Sequence, residues 1–142
     1  MHMRIYKILN ICQGIYNKFV DLETLLRALA DRTRLRLLNL LRDQEICVCF
    51  LVEALRTSQP KISRHLANLR NSGLVSARRE GLWMHYHIVP PETPAERKVL
   101  QQVLASLESD PQMQKDFERM EKACCAPQNF VRLESPPVPR KV

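Results

Sequence analysis

The side chains with the widest chemical reach in this chain are its five cysteines. Cys47 and Cys49 are separated by one residue, Cys124 and Cys125 are adjacent and close to Pro127, and Cys12 stands alone near the start. Thiolates are soft ligands, so such pairs select trivalent arsenic, antimony, cadmium or lead over magnesium or calcium. Cys47 and Cys49 lie in an apolar-periodic segment, 46–55, that reads as a helix. Positions i and i+2 of a helix do not face each other. Both sulfurs are therefore expected to reach one ion only if the start of that helix unwinds. Cys124 and Cys125, in a segment broken by proline, can adapt to an ion, either completing the first pair's site or forming a two-thiol site of their own. Cys12 falls on an apolar stripe, where a small buried hydrophobe is the simpler role.

The remaining polar chemistry is weaker. His85 and His87 alternate along a strand and share one face, a spacing that permits metal binding but is as readily met by solvated or stacked rings. Nothing points to an enzyme. A phosphatase-like arsenate reductase needs an arginine six positions after its cysteine in a phosphate loop, whereas Cys49 and Arg56 are seven apart in an apolar segment without glycine.

These thiols sit just ahead of the stretch that must position them. In 57–73, Ile62, Leu66 and Leu69 recur on one helical face and Gly73 is placed to end the helix, while Lys61, Arg64, Asn68 and Asn71 occupy the other face. Ser58 and Gln59 flank Pro60, which a first helical turn tolerates. Such residues reach phosphates and base edges when a helix enters a major groove. An ordinary solvated face would look the same in isolation, and the context decides between them. Two strand-like runs follow, joined at Glu80-Gly81-Leu82, with Arg78 and Arg79 near the tip; two shorter apolar-periodic segments, 31–42 and 46–55, precede. Helix, helix, recognition helix and hairpin in that order make a winged helix-turn-helix, mainly α with a small β part (α+β).

The runs Leu25-Leu-Arg-Ala-Leu-Ala-Asp-Arg-Thr-Arg-Leu-Arg-Leu-Leu, Glu45-Ile-Cys-Val-Cys, Ser58-Gln-Pro-Lys-Ile-Ser-Arg-His-Leu and Arg79-Glu-Gly-Leu-Trp together resemble the ArsR/SmtB family of metal-responsive repressors. The resemblance covers about residues 22–89. It implies a homodimer that holds an inverted-repeat operator when free of metal and releases it when metal binds, with terminal helices serving dimerisation. It also implies Ser58, Gln59, Ser63, Arg64 and His65 in the groove; the helical wheel adds Lys61 and Asn68, and the wing adds Arg78 and Arg79 on backbone or minor groove. Cys-Val-Cys resembles the arsenic-responsive branch and also the cadmium/lead branch. The arsenic branch often places a third cysteine three positions on, where this chain has Val52, so the third ligand is expected from Cys124 or Cys125. The family's other metal site needs Asp and His on the C-terminal helix, and 93–108 contains neither, which disfavours a zinc or nickel sensor. The expected function is a repressor released by trivalent arsenic or antimony. Cadmium or lead, a thiol redox switch, and a DNA-binding module with inert cysteines are the alternatives.

Composition agrees. The 142 residues carry a formal charge of +7, and 31–80 holds ten Lys/Arg against five Asp/Glu, a balance that favours polyanions. Residues 1–20, with Ile5, Ile8, Ile11, Ile15 and Phe19 at helical spacing, read as an amphipathic helix rather than a signal peptide, and no run suits a membrane. Five cysteines without a secretory signal suggest the reducing cytoplasm. Residues 21–110 read as the DNA-binding and dimerisation domain, 111–126 as a C-terminal helix with Met113, Phe117 and Met120 on one face, and 127–142 as a proline-rich disordered tail. Thr93-Pro-Ala-Glu96 reads as a capping box opening the helix before that.

Overall fold

The structure is a computed structural model and describes residues 20–125 and 139–142. The expected helix over 1–20 lies almost wholly outside the described residues. Helix α1 (Leu22–Leu29) starts where the Asp21 carboxylate accepts the Thr24 amide at 2.8 Å, and α2 (Arg32–Leu40) where Asp31 accepts that of Arg34 at 2.9 Å. Each cap satisfies an amide that the helix leaves without an internal partner. Strand β1 (Gln44–Cys47) leads directly into α3 (Val48–Leu55), which ends at Arg56 with φ +49°. Helix α4 (Gln59–Asn71) has proline in its first turn and ends ahead of Gly73 at φ +84°, where the Leu74 amide reaches back to the Leu69 carbonyl. That left-handed position is why glycine stands there.

Strands β2 (Val75–Glu80) and β3 (Trp83–Ile88) form the hairpin, with Arg78 opposite His85 and Glu80 opposite Trp83. Gly81, at φ +60°, makes the two-residue turn with Leu82. Helices α5 (Pro94–Ser106) and α6 (Pro111–Cys125) follow, and β4 (Arg140–Lys141) closes an antiparallel sheet of order β2-β3-β1-β4. One core joins the elements: Leu25, Leu37, Phe50, Ile62 and Leu66 are fully buried, and Trp83 packs against this cluster as a brace for the hairpin. Each such aliphatic side chain adds about 1.5–3 kcal/mol on burial.

Several expectations are corrected. The helix read over 46–55 begins only at Val48, because Ile46 and Cys47 are drawn into the sheet opposite Tyr86 and His85. The expected capping box does not form: Thr93 is the N-cap without a side-chain bond. Arg97 fastens that turn instead, through the carbonyls of Pro91 (3.1 Å) and Glu92 (3.1 Å). Of the apolar face expected on α6, Met113 and Met120 enter the common core together with Ala123, whereas Phe117 is 42% exposed. The end of the expected disordered tail pairs with β1, Gln44 with Lys141 and Glu45 with Arg140, because an open strand edge offers unmet amides and carbonyls.

Candidate thiol site and nucleic-acid interface

Cys47 is the N-cap of α3 in extended conformation, with φ −66° and ψ 141°, and Cys49 lies in the first turn. The change from strand to helix between them swings the two side chains together, and their sulfurs stand 3.3 Å apart. No unwinding of a helix start is needed, which corrects the sequence expectation. Cys47 is fully buried and Cys49 partly exposed. The hydrogen bond from Cys49 holds the Cys47 thiol below its ordinary range, aided by the Cys49 and Val48 amides at the helix start, against the opposing effect of burial. The same hydrogen bond and burial push Cys49 up. When the pair loses one proton, Cys47 is the readier thiolate, the form that binds metals, with the Cys49 thiol donating to it.

Cys124, partly buried, packs against the core on α6. Asp110 pairs with Arg32, Asp116 with Arg36, and Met120 meets Gln44, so α6 runs alongside α2 in the same direction. Against α3, Arg119 reaches the Ala54 carbonyl near the end of that helix. Among the described residues, no group of three or more His, Cys, Asp or Glu is arranged to hold a metal ion, so Cys124 is not brought together with the Cys47/Cys49 pair. Cys125 ends α6.

The face of α4 away from the core is open. Ser58, Gln59, Lys61, Ser63, Arg64 and Asn68 are all exposed, while Ile62, Leu66 and Leu69 are fully buried behind them. His65 is turned inward: its Nδ1 lies 3.6 Å from the Asp31 carboxylate that caps α2, and only 19% of its side chain is exposed. On the wing, Arg79 is exposed, its guanidinium donating to the Gly81 carbonyl at 3.0 Å. Arg78 is bound by Glu45 at 2.5 Å and Glu80 at 3.1 Å. Sequence reasoning missed Glu45 as that partner, although its period-two alternation with Cys47 marks the shared sheet face. The Arg78 guanidinium holds the Glu45 carboxyl below its usual range despite burial. His85, 3% exposed, has its Nε2 3.5 Å from Glu80 without a hydrogen bond, and burial pushes its pKa down, with Arg78 acting the same way. His87 faces Glu45 at 3.5 Å. The two histidines share a face as expected but assemble no metal group. No described helix is long and apolar enough to cross a membrane.

Residues 31–77, from the cap of α2 into β2, match the family profile described as bacterial regulatory protein, arsR family. A helix-turn-helix transcriptional regulator of Methanocaldococcus jannaschii is 41% identical over 73 residues, which cover 51% of this chain and 82% of that protein. The chain belongs to the ArsR family. The family is one of regulators, not enzymes. The arsenical resistance operon repressor of Escherichia coli K12 is 55% identical over 67 residues, covering 46% of this chain. The chain spans 57% of that relative's length. Among solved structures, reduced HlyU from Vibrio cholerae superposes with a TM-score of 0.53 at 33% identity, over 61% of this chain and 87% of that one. The winged-helix reading of the sequence is thereby borne out.

Proposed function

We propose that this ArsR-family protein is a transcriptional repressor that binds an inverted-repeat operator as a homodimer and dissociates when trivalent arsenic or antimony is captured by Cys47 and Cys49. The observation that carries the reading is the 3.3 Å sulfur pair at the start of α3, the helix that leads through one turn into α4. The Escherichia coli relative, named for arsenical resistance, supports the choice of inducer.

Arsenite exchanges hydroxide for thiolate. Each arsenic–sulfur bond forms as one hydroxide leaves with the thiol proton as water, and no electron is transferred. Cys47 attacks first, and Cys49, losing its hydrogen-bond acceptor, follows. Cys124 or Cys125 supplies the third sulfur by movement at the end of α6. Because Cys47 is both the last residue of β1 and the cap of α3, drawing its sulfur onto a metalloid shifts the start of α3 and, through it, α4. Ser58, Gln59, Lys61, Ser63, Arg64 and Asn68 face the groove, and Arg79 meets the backbone from the wing. His65 acts from behind, steadying α4 on the cap of α2.

The same sulfur separation supports a second reading, closure of a disulfide by peroxide, with two thiols oxidised and peroxide reduced to water. Both are tested by titrating arsenite, cadmium and hydrogen peroxide into the reduced protein on a labelled operator fragment, beside Cys47→Ser and a Cys124→Ser/Cys125→Ser double variant. Release by arsenite that Cys47→Ser abolishes is the expected result. Release by peroxide alone establishes the redox switch, and no release by any agent refutes both readings.

A further inference from the structure

The most deeply buried carboxylate of the described residues, Asp116, lies outside the stretch shared with the family profile and faces the helix-turn-helix. Its two oxygens receive the Arg36 guanidinium at 2.6 and 2.8 Å, and Gln112 donates to it at 2.8 Å. Arg36, so oriented, also donates to the Leu55 carbonyl at 3.2 Å. Arg119, with its guanidinium 3.5 Å from Asp116, donates to the Ala54 carbonyl at 3.3 Å. Those carbonyls are the last two of α3, where no further helical turn can satisfy them. The next residue, Arg56, adopts the left-handed conformation that turns the chain toward α4, and its amide and that of Thr57 make only long bonds of 3.3 and 3.4 Å. The turn that sets the angle of the recognition helix is therefore held by its two long backbone bonds and by side chains that donate to the last two carbonyls of α3: the Thr57 hydroxyl within the turn at 3.1 Å, Arg36 from α2 and Arg119 from α6.

We propose that Asp116 is a positioning residue for operator binding: through Arg36 and Arg119 it clamps the carboxyl end of α3, so that the C-terminal helix sets the pose of α4. This inference rests on the operator-binding reading above. A buried charge on one helix that organises two cations onto the carbonyls of another is directional in a way that apolar packing is not. Since α6 also ends in the cysteines expected to complete the metalloid site, displacement of its last turn is transmitted to the same clamp.

The test uses the full chain with Asp116→Asn and Arg119→Met. Arg119→Met removes the contact to Ala54 while leaving the Asp116–Arg36 pair, so it keeps the proposal open to refutation if Asp116→Asn does not fold. Two readouts are needed: amide hydrogen exchange at Arg56 and Thr57 without DNA, and operator affinity across a range of salt concentrations. Expected are faster exchange at that turn with the β2–β3 amides unchanged, and operator affinity lower by about tenfold, the order for one charge-assisted hydrogen bond, with the salt dependence unaltered. A merely stabilising residue would lower the melting temperature but leave the affinity of the folded protein and the local exchange intact. Unchanged exchange at Arg56 and Thr57 in both variants overturns the proposal, as does an affinity loss that flattens the salt dependence. If the unmodified chain binds no operator while the variants still loosen the turn, the operator reading fails and the hold of α6 on the turn stands.

Discussion

Replacing Arg64 by alanine should change the salt dependence of operator binding by a calculable amount. A cation that neutralises a DNA phosphate releases a condensed counterion, so affinity falls with salt concentration in proportion to the phosphates met. On the α4 face and wing, Lys61, Arg64 and Arg79 are exposed, whereas Arg78 is bound to Glu45 and Glu80. If each of the exposed cations meets one phosphate on both halves of a dimer, about six counterions are released, and the logarithmic plot of affinity against salt falls with a slope of about −5. Arg64→Ala removes one contact per half and flattens the slope by about 2. Arg78→Ala, by contrast, leaves the slope nearly unchanged, because that guanidinium is already neutralised by protein carboxylates. Fluorescence anisotropy of a labelled operator over a series of potassium chloride concentrations measures all three slopes, with circular dichroism confirming that each variant is folded. An unchanged slope in Arg64→Ala, or an equal flattening in Arg78→Ala, would show that phosphates are met by other residues and refute the assignment.

Leu66 and Asn68 lie two positions apart on α4 but point in opposite directions. Leu66→Ala, at a fully buried site, should lower unfolding free energy by about 2–5 kcal/mol in urea, while exposed Asn68→Ala should leave it within about 0.5 kcal/mol and weaken operator binding instead. Arg78 holds Glu45 below the ordinary carboxylate range, so the pair adds stability that is complete above that range and lost as pH falls through the folded-state value. Glu45→Gln should therefore be less stable than the unmodified protein at neutral pH, and the difference should shrink in acid-unfolding measurements below about pH 4. Removing the hydrogen-bond donor in Cys49→Ala should raise the pKa of Cys47, read as thiolate ultraviolet absorbance against pH; an unmoved titration would deny the thiol–thiol hydrogen bond its role.

The sequence by itself determined the helix-turn-helix and its wing. Ile62, Leu66 and Leu69 at helical spacing, Asp31 as a cap, Gly73 at a left-handed position and the two-residue turn at Gly81 are local signals, and local backbone preferences were enough to realise them. The exposed face of α4 was legible for the same reason, since a helical period fixes both faces at once. The thiol geometry was not. Apolar periodicity extended a helix through Ile46 and Cys47, but pairing with Tyr86 and His85, some forty positions away in the chain, made them a strand and brought the two sulfurs to 3.3 Å. His65 carries a base-reading residue type in a recognition helix, yet the approach of Asp31 turned it inward. Arg78 read as a free cation until the fold set Glu45 beside it, and nothing local links Asp116 to Arg36, eighty residues earlier. Periodicity reports which face of an element is buried. Which partner meets that face, and so which charges are neutralised and which thiols converge, is decided only when distant segments compete for the same space.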